Sequence, residues 1–250
     1  MAGLESLVRT DFKAVDKRDP LNSVMGWLTR DTGKRPVVVD DGKPFGIVNE
    51  RALMSRRLDS NAHVHQFTLA TRALDANTSI EDARARMAEY RASYLPFADA
   101  KGKLVGYVSA IDLAREGLDG ENARDLSVAV TFLRETQTLG EALNAFNKEY
   151  VDFLPVLRDD GRIAGVLPRA SLLQMAFNAG DRGRKDAGGE KSTLLHDPVS
   201  GFMDEAPRMS APNAAAEGLL DTVAEAGYAI VGSLERPEGI VTAETLFARG

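Results

Sequence analysis

Cysteine is absent from the 250 residues, so neither a disulfide framework nor a thiolate metal site exists. An excess of positive charge is missing too. The 31 Lys and Arg stand against 37 Asp and Glu, giving a net charge of −6 and a pI near 5.2. Counterion-release binding to nucleic acid wants a basic face. The charge balance therefore argues against a nucleic-acid partner, while leaving room for a small basic pocket. No apolar run approaches the ~18 residues that span a bilayer. The opening Met1–Arg9 segment lacks the apolar stretch of a secretory signal. A soluble cytoplasmic protein with no membrane partner is expected. Histidine is scarce, at three residues. His63 and His65 form a His-x-His pair that reads as a surface strand, and His196 stands alone. No nucleophile arrangement accompanies them, so no catalytic residue and no metal site is predicted. Gly188–Ser192 superficially resembles a phosphate loop but fails its spacing and follows no strand.

What the chain has is repetition. Pro36–Val48, Leu95–Val108 and Leu154–Leu167 carry the same order of apolar run, polar turn, glycine and second apolar run, with a fainter copy from Ala229 to Val241. The recurring second glycine is Gly46, Gly106, Gly165 and Gly239, at spacings of 60, 59 and 74 residues. A repeat of this length is one supersecondary unit, too thin to bury its own apolar face, so copies must pair. Their seam is a natural place for a ligand. Hydrophobic residues make up 44%, ample for a core.

Each copy opens with an amphipathic helix. Leu21, Val24, Met25 and Leu28 keep helical spacing, as do Leu139, Ala142, Leu143 and Phe146, and Ala216, Leu219, Leu220 and Val223. Ile80, Ala83 and Met87 form a thinner stripe, and Asn77-Thr78-Ser79 and Thr136-Gln137-Thr138 supply cap material before the apolar faces. Two strands follow around a turn at Gly42, Gly102 or Gly161; the fourth copy has Glu235-Arg236-Pro237-Glu238 instead. A last helix is predicted over Glu50–Leu58, Ala110–Gly117, Arg169–Asn178 and Ala243–Arg249. Short extended segments such as Phe12–Val15 and Arg72–Leu74 precede the first helices. The fold class is thus mixed α/β, built of four β-α-β-β-α units. Copies at 1–60 and 61–120 form a first module, and those at 121–178 and 195–250 a second. Residues 179–194 read as a flexible loop. Trp27, off the main helical stripe, is assigned to an interface.

With these patterns in view, the chain resembles proteins of four cystathionine-β-synthase-type (CBS) domains, whose pairs are called Bateman modules. The family's diagnostic element is a glycine, two apolar residues, Ser or Thr, two residues and Asp. Gly106-Tyr107-Val108-Ser109-Ala110-Ile111-Asp112 matches it in full. The resemblance implies an adenosine ligand such as AMP, ADP, ATP, S-adenosylmethionine or a diadenosine polyphosphate, held as a regulatory ligand with no required cofactor. It implies that Ser109 and Asp112 hold the ribose, beside Gly106. It also assigns the adenine to an extended segment and apolar walls, here Arg72, Ala73, Tyr94 and Pro96.

The residues support this independently. Ser109 is expected to cap the last helix and leave its first N–H groups facing the cleft, where phosphate is favoured. A carboxylate one turn on can accept from both hydroxyls of a diol. Ser-x-x-Asp also reads as a plain helix cap, and the two roles coexist. Asn49 and Ala52 stand at these places in copy one, Pro168 and Ser171 in copy three, Thr242 and Thr245 in copy four. One ribose site per module is therefore expected, around Asp112 and around Thr242 and Thr245. Arg51 and Arg169, read as equivalent at the start of the last helices in copies one and three, are assigned to ligand phosphates.

The leading expectation is a sensor that signals to an unidentified protein partner by conformational change. The competing expectation is a scaffold whose sites have decayed; a nucleic-acid regulator is third. The modules are expected to stack within one chain, with a homodimer as the other arrangement.

Overall fold

A computed structural model describes residues 3–30, 35–55, 62–118, 120–149, 151–173 and 195–247, apart from the side chains of residues 26, 27, 29, 30, 54 and 55. The Trp27 side chain, the Gly188–Ser192 segment and the 179–194 stretch lie outside this set. The chain divides into two compact units, Met1–Glu116 with Phe247–Gly250, and Gly117–Leu246.

In the first unit, β1 (Phe12–Asp16) leads through α1 (Asn22–Arg30) to the hairpin β2 (Arg35–Asp40) and β3 (Lys43–Val48), then α2 (Glu50–Ser55). β4 (Thr68–Ala70), α3 (Ile80–Tyr90), β5 (Tyr94–Ala98), β6 (Leu104–Ser109) and α4 (Ala110–Arg115) follow. The second unit begins with α5 (Ala123–Leu126), β7 (Leu133–Arg134), α6 (Leu139–Lys148), β8 (Phe153–Leu157) and β9 (Ile163–Pro168). Helix α7 starts at 169 and is described to 173. β10 (Met209–Ser210), α8 (Ala216–Ala226), β11 (Tyr228–Gly232) and β12 (Pro237–Thr242) complete it.

The expected stripes are the buried faces. Val24, Met25, Ala83, Met87, Leu139, Ala142, Phe146, Leu219, Leu220 and Val223 are all buried. Each large apolar side chain so buried contributes about 1.5–3 kcal/mol. Ser79 Oγ accepts from the Asp82 N–H, and Thr138 forms a full capping box with Glu141. At the hairpin tips Gly102 and Gly161 take φ of 76° and 82°, values that favour glycine.

Two expectations are corrected. His63 and His65 are not a strand: His63 caps a 3-10 turn, Val64–Phe67, with Gln66 returning the bond. Its Nδ1 lies 2.7 Å from the Arg18 carbonyl, and that of His65 lies 3.2 Å from the Lys17 carbonyl. The pair clasps the entry to copy two against copy one. The last helix expected in copy four over Ala243–Arg249 is also not formed among its described residues, since 243–247 are turns. There Thr245 Oγ1 accepts from the Thr242 N–H and donates to the Thr242 carbonyl, at 2.9 and 3.0 Å. Such local bonds compete with helix formation.

The four sheets follow one plan. The strand that precedes each first helix lies parallel to the first hairpin strand: β1 on β2, Leu74 on Phe97, β7 on β8 and β10 on β11. On the other edge each hairpin receives an antiparallel segment from its partner copy. β4 of copy two pairs with β3 at Gly46↔Ala70. Arg9 of copy one pairs with Tyr107, Asp204 with Val166, and Val128 with Ile240. The exchange is reciprocal within each unit.

The recurring glycine permits this exchange. A Cβ at Gly106 would stand 2.5 Å from the Arg9 carbonyl oxygen, and one at Gly239 2.7 Å from that of Val128. No real Cβ sits so near a backbone atom, and the backbone cannot swing aside as a side chain does. Gly106→Ala should therefore destabilise the protein by about 2–4 kcal/mol. The control is Gly218→Ala in α8, where a Cβ meets nothing within 4 Å; helix propensity predicts a gain of about 0.5–1 kcal/mol. Urea denaturation of both variants checks the contrast.

Candidate functional site

The Gly106–Asp112 segment ends β6 and begins α4. Ser109 is the N-cap and its Oγ accepts from the Asp112 N–H at 3.1 Å. The same hydroxyl donates to Asp112 Oδ2 at 2.6 Å. The carboxylate does not stand open. Arg9 donates from Nε to Oδ2 at 2.6 Å and from Nη2 to Oδ1 at 2.8 Å, a two-pronged ion pair. The Asp112 side chain is 14% exposed and that of Arg9 45%. Burial alone would push the Asp112 carboxyl up. The hydrogen bonds from Arg9 and Ser109, with the charge of Arg9, outweigh burial and hold it below the usual carboxylate range. The hydrogen bond to Asp112 likewise raises Arg9, against the cost of burial.

The crossing brings Arg9 here. Its N–H donates to the Tyr107 carbonyl at 2.8 Å and accepts the Tyr107 N–H on its own carbonyl at 3.0 Å. Its backbone is thereby pinned one residue past Gly106, on the edge from which α4 departs. Sequence reasoning missed Arg9. The available signal was a lone cation in the segment that enters copy one, the partner of the copy holding the motif aspartate.

The other expected residues are placed as follows. Arg72 and Ala73 lie between β4, which pairs with β3, and Leu74, which pairs with β5. The Arg72 N–H donates to Tyr90 Oη, and the Ala73 carbonyl accepts from Arg86. The segment crossing β6 at the Asp112 end is Arg9's, not theirs. Tyr94 and Pro96 are buried in β5. Tyr94 Oη donates to the Pro36 carbonyl at 2.7 Å and its ring meets Tyr107 edge-on at 5.7 Å, so it joins the two hairpins. Burial pushes its hydroxyl up.

Helix α4 has six residues, and two of its leading donors are used within the protein: Ala110 N–H on the Ser93 carbonyl and Asp112 N–H on Ser109. In copy one Asn49 still caps, accepting from the Ala52 N–H at 3.2 Å. In copy four the Thr245 hydroxyl is used within its own turn. The fully buried Thr242 hydroxyl has no hydrogen-bond partner among the described residues, which costs about 1–3 kcal/mol unless a polar atom supplies one.

Arg51 and Arg169 are not equivalent. Arg51 is five residues past Gly46 and Arg169 four past Gly165, about 100° apart on a helix. Arg51 is half-buried, whereas Arg169 is 2% exposed and points into its own copy. It pairs with Asp152 at 2.8 Å, donates to the Val151 carbonyl and lies over the Phe146 ring at 5.4 Å. These contacts use the guanidinium that was assigned to phosphate.

The matched hairpins, the exchanged segments and the glycine motif together fit a known family. A CBS-domain model matches residues 72–119 and 123–177. The chain is a CBS-domain protein. Its four CBS repeats form two Bateman modules. The solved structure of MJ1225 from Methanocaldococcus jannaschii, described as a proposed archaeal homologue of γ-AMPK, is similar over 98% of this chain and 99% of its own. It shares 14% sequence identity, with a TM-score of 0.80. An uncharacterised conserved protein from Pyrococcus horikoshii is similar over 98% of each chain at 18% identity, with a TM-score of 0.63. At these identities the likeness concerns the fold. A comparison with curated protein sequences finds no match. Among the described residues of the CBS repeats, no helix is long and apolar enough to cross a membrane, and no cluster of His, Asp and Glu could hold a metal ion.

Two predictions follow from the charges. The lowered Asp112 carboxyl contributes stability above about pH 4, the ordinary aspartate range, and that contribution is lost as pH falls through its folded value. Wild type should exceed Asp112→Asn by about 1 kcal/mol at pH 7, and the gap should narrow as the pH is lowered below about 4; urea melts at each pH decide it. Arg169→Ala should cost about 2–4 kcal/mol of stability through lost packing and a broken buried pair. Any adenosine-ligand affinity should stay unchanged, as measured by calorimetry on the folded fraction.

Proposed function

We propose that the protein is a regulatory CBS protein that binds an adenosine nucleotide in the first module and signals to a protein partner through the resulting change in shape. Repeats at 1–60 and 61–120 make that module, and those at 121–178 and 195–250 the second. The observation that carries the reading is Asp112, a nearly buried carboxylate set by Ser109 at the end of β6, one residue-pair from the exchanged segment. A carboxylate so placed accepts from both hydroxyls of a cis-diol, each bond worth roughly 1.5–3 kcal/mol. Together these are a sizeable part of the ~8 kcal/mol of a micromolar complex. AMP, ADP, ATP, S-adenosylmethionine and diadenosine polyphosphates share the diol and are the candidate ligands. The likeness to a proposed γ-AMPK homologue supports an adenosine ligand. In the second module Thr242, at the place of Ser109, carries an orphaned hydroxyl, and Thr245 stands at the place of Asp112 without charge.

A chain built of CBS repeats fits a regulatory role rather than a catalytic one. Ligand binding shifts a conformational equilibrium only by its differential affinity for the two states. A cytoplasmic setting suits such a sensor. A second reading, an interaction module without a ligand, is favoured by Arg9, which already pairs with the carboxylate.

Calorimetry and thermal shift with the five ligand types separate the readings. The sensor predicts a melting increase by mass action, and Asp112→Ala should weaken binding at least about tenfold, the loss of one charge-assisted bond. No shift with any of them would favour the ligand-free module.

A further inference from the structure

We propose that Arg9 is a displaceable latch on Asp112, which makes the first module select its adenosine ligand by phosphate. This rests on the nucleotide reading above. A carboxylate offers about four acceptor positions. Three are taken: two by Arg9, and one by Ser109. A ribose diol needs two, so it enters only when Arg9 leaves. For a neutral nucleoside the exchange trades a charged two-pronged pair for two neutral hydroxyls and strands a guanidinium. A nucleotide brings its own anion, and the released guanidinium moves from carboxylate to phosphate. Its planar fork fits both groups in the same two-pronged way.

The geometry allows the exchange. The Arg9 backbone is fixed by its two bonds to Tyr107, while the side chain is 45% exposed. The guanidinium therefore pivots about an anchored Cα beside the diol acceptor. The pair is also dispensable to the crossing. Counted from the glycines, the positions matching Arg9 are Leu69, Val128 and Asp204. Among the described residues, none of these three positions pairs with the residue matching Asp112; the charged pair beside the Val128 crossing, Arg124 with Glu238, stands at other positions. The positions matching Asp112 in those copies are Ala52, Thr245 and Ser171. The cation thus occurs at the one crossing that faces the motif aspartate.

The test is calorimetry of the full chain with adenosine, AMP and ATP, for wild type, Arg9→Ala and Arg9→Lys. Wild type should prefer AMP to adenosine by about tenfold or more. Arg9→Ala should bind adenosine several-fold more tightly than wild type, and its AMP-to-adenosine ratio should fall towards one. Arg9→Lys keeps the charge and loses the fork, so it should gain adenosine affinity and retain part of the phosphate preference. It also decides the matter if Arg9→Ala does not fold. Arg9 variants that bind adenosine and AMP as wild type does, or that lose both equally, overturn the latch and leave the nucleotide reading standing. If wild type and both folded variants bind none of the three ligands, the nucleotide reading falls and the latch with it.

Discussion

Each unit depends on a close backbone crossing, in which the entry segment of one repeat lies on the hairpin edge of the other. A hairpin alone leaves an edge of unpaired N–H and C=O groups. Here the partner repeat supplies the missing strand and receives one in return, so neither edge is satisfied unless both repeats are folded. The crossing works only where the receiving strand carries no side chain, which is why Gly46, Gly106, Gly165 and Gly239 recur at the same place. A β-bulge follows at each hairpin, between Val38 and Val39, Phe97 and Ala98, Val156 and Leu157, and Val231 and Gly232. The local twist it adds belongs to the same design. Helix stripes then cover the faces that this paired framework leaves apolar.

The framework was legible because its signals are local. Apolar spacing, cap residues and turn glycines act within ten residues of themselves, and the structure places α1, α3, α6 and α8 and all four hairpins where those signals stand. Copy four has turns over 243–247, where a last helix was expected, because the Thr245 hydroxyl bonds the Thr242 backbone, a contest that a list of apolar positions does not register. The register of Arg51 and Arg169 was misjudged by one residue, and on a helix one residue is a change of face. Arg9 was invisible for a different reason. Its partner lies 103 residues away, and only the exchange of segments makes them neighbours. The resemblance pointed to Arg72 and Ala73 of the motif's own copy for the adenine, and gave no reason to look for a partner of Asp112 in copy one. The reciprocal crossing pairs the motif with that copy.

Internal repetition also separates scaffold from chemistry. Features present in all four copies, the glycine, the bulge and the crossing, belong to folding. Features that differ belong to what each edge can bind. Copy two couples a carboxylate to an arginine on the crossing segment. Copy three turns its arginine inward, onto Asp152 and Phe146, where it packs its own repeat. Copy four buries two hydroxyls with no charge, and copy one has an alanine where the carboxylate would be. The family model matches across copies two and three, while copies one and four depart from the pattern at the motif and at the last helix.

That asymmetry sets what a ligand could change. In the first module the motif carboxylate is paired with a residue on the exchanged segment itself. Anything that competes for Asp112 therefore acts on the segment that holds the two repeats together, and acts there before it touches the core. In the second module the Thr242 and Thr245 bonds close within one repeat, and the pair that ties the exchanged segment to the other repeat, Arg124 with Glu238, stands away from the motif positions. Coupling needs an element that two states share and hold differently. Arg9, fixed by its backbone to one repeat's hairpin and by its side chain to that repeat's carboxylate, yet belonging to the other repeat, meets that description. The hydroxyls of Thr242 and Thr245 do not.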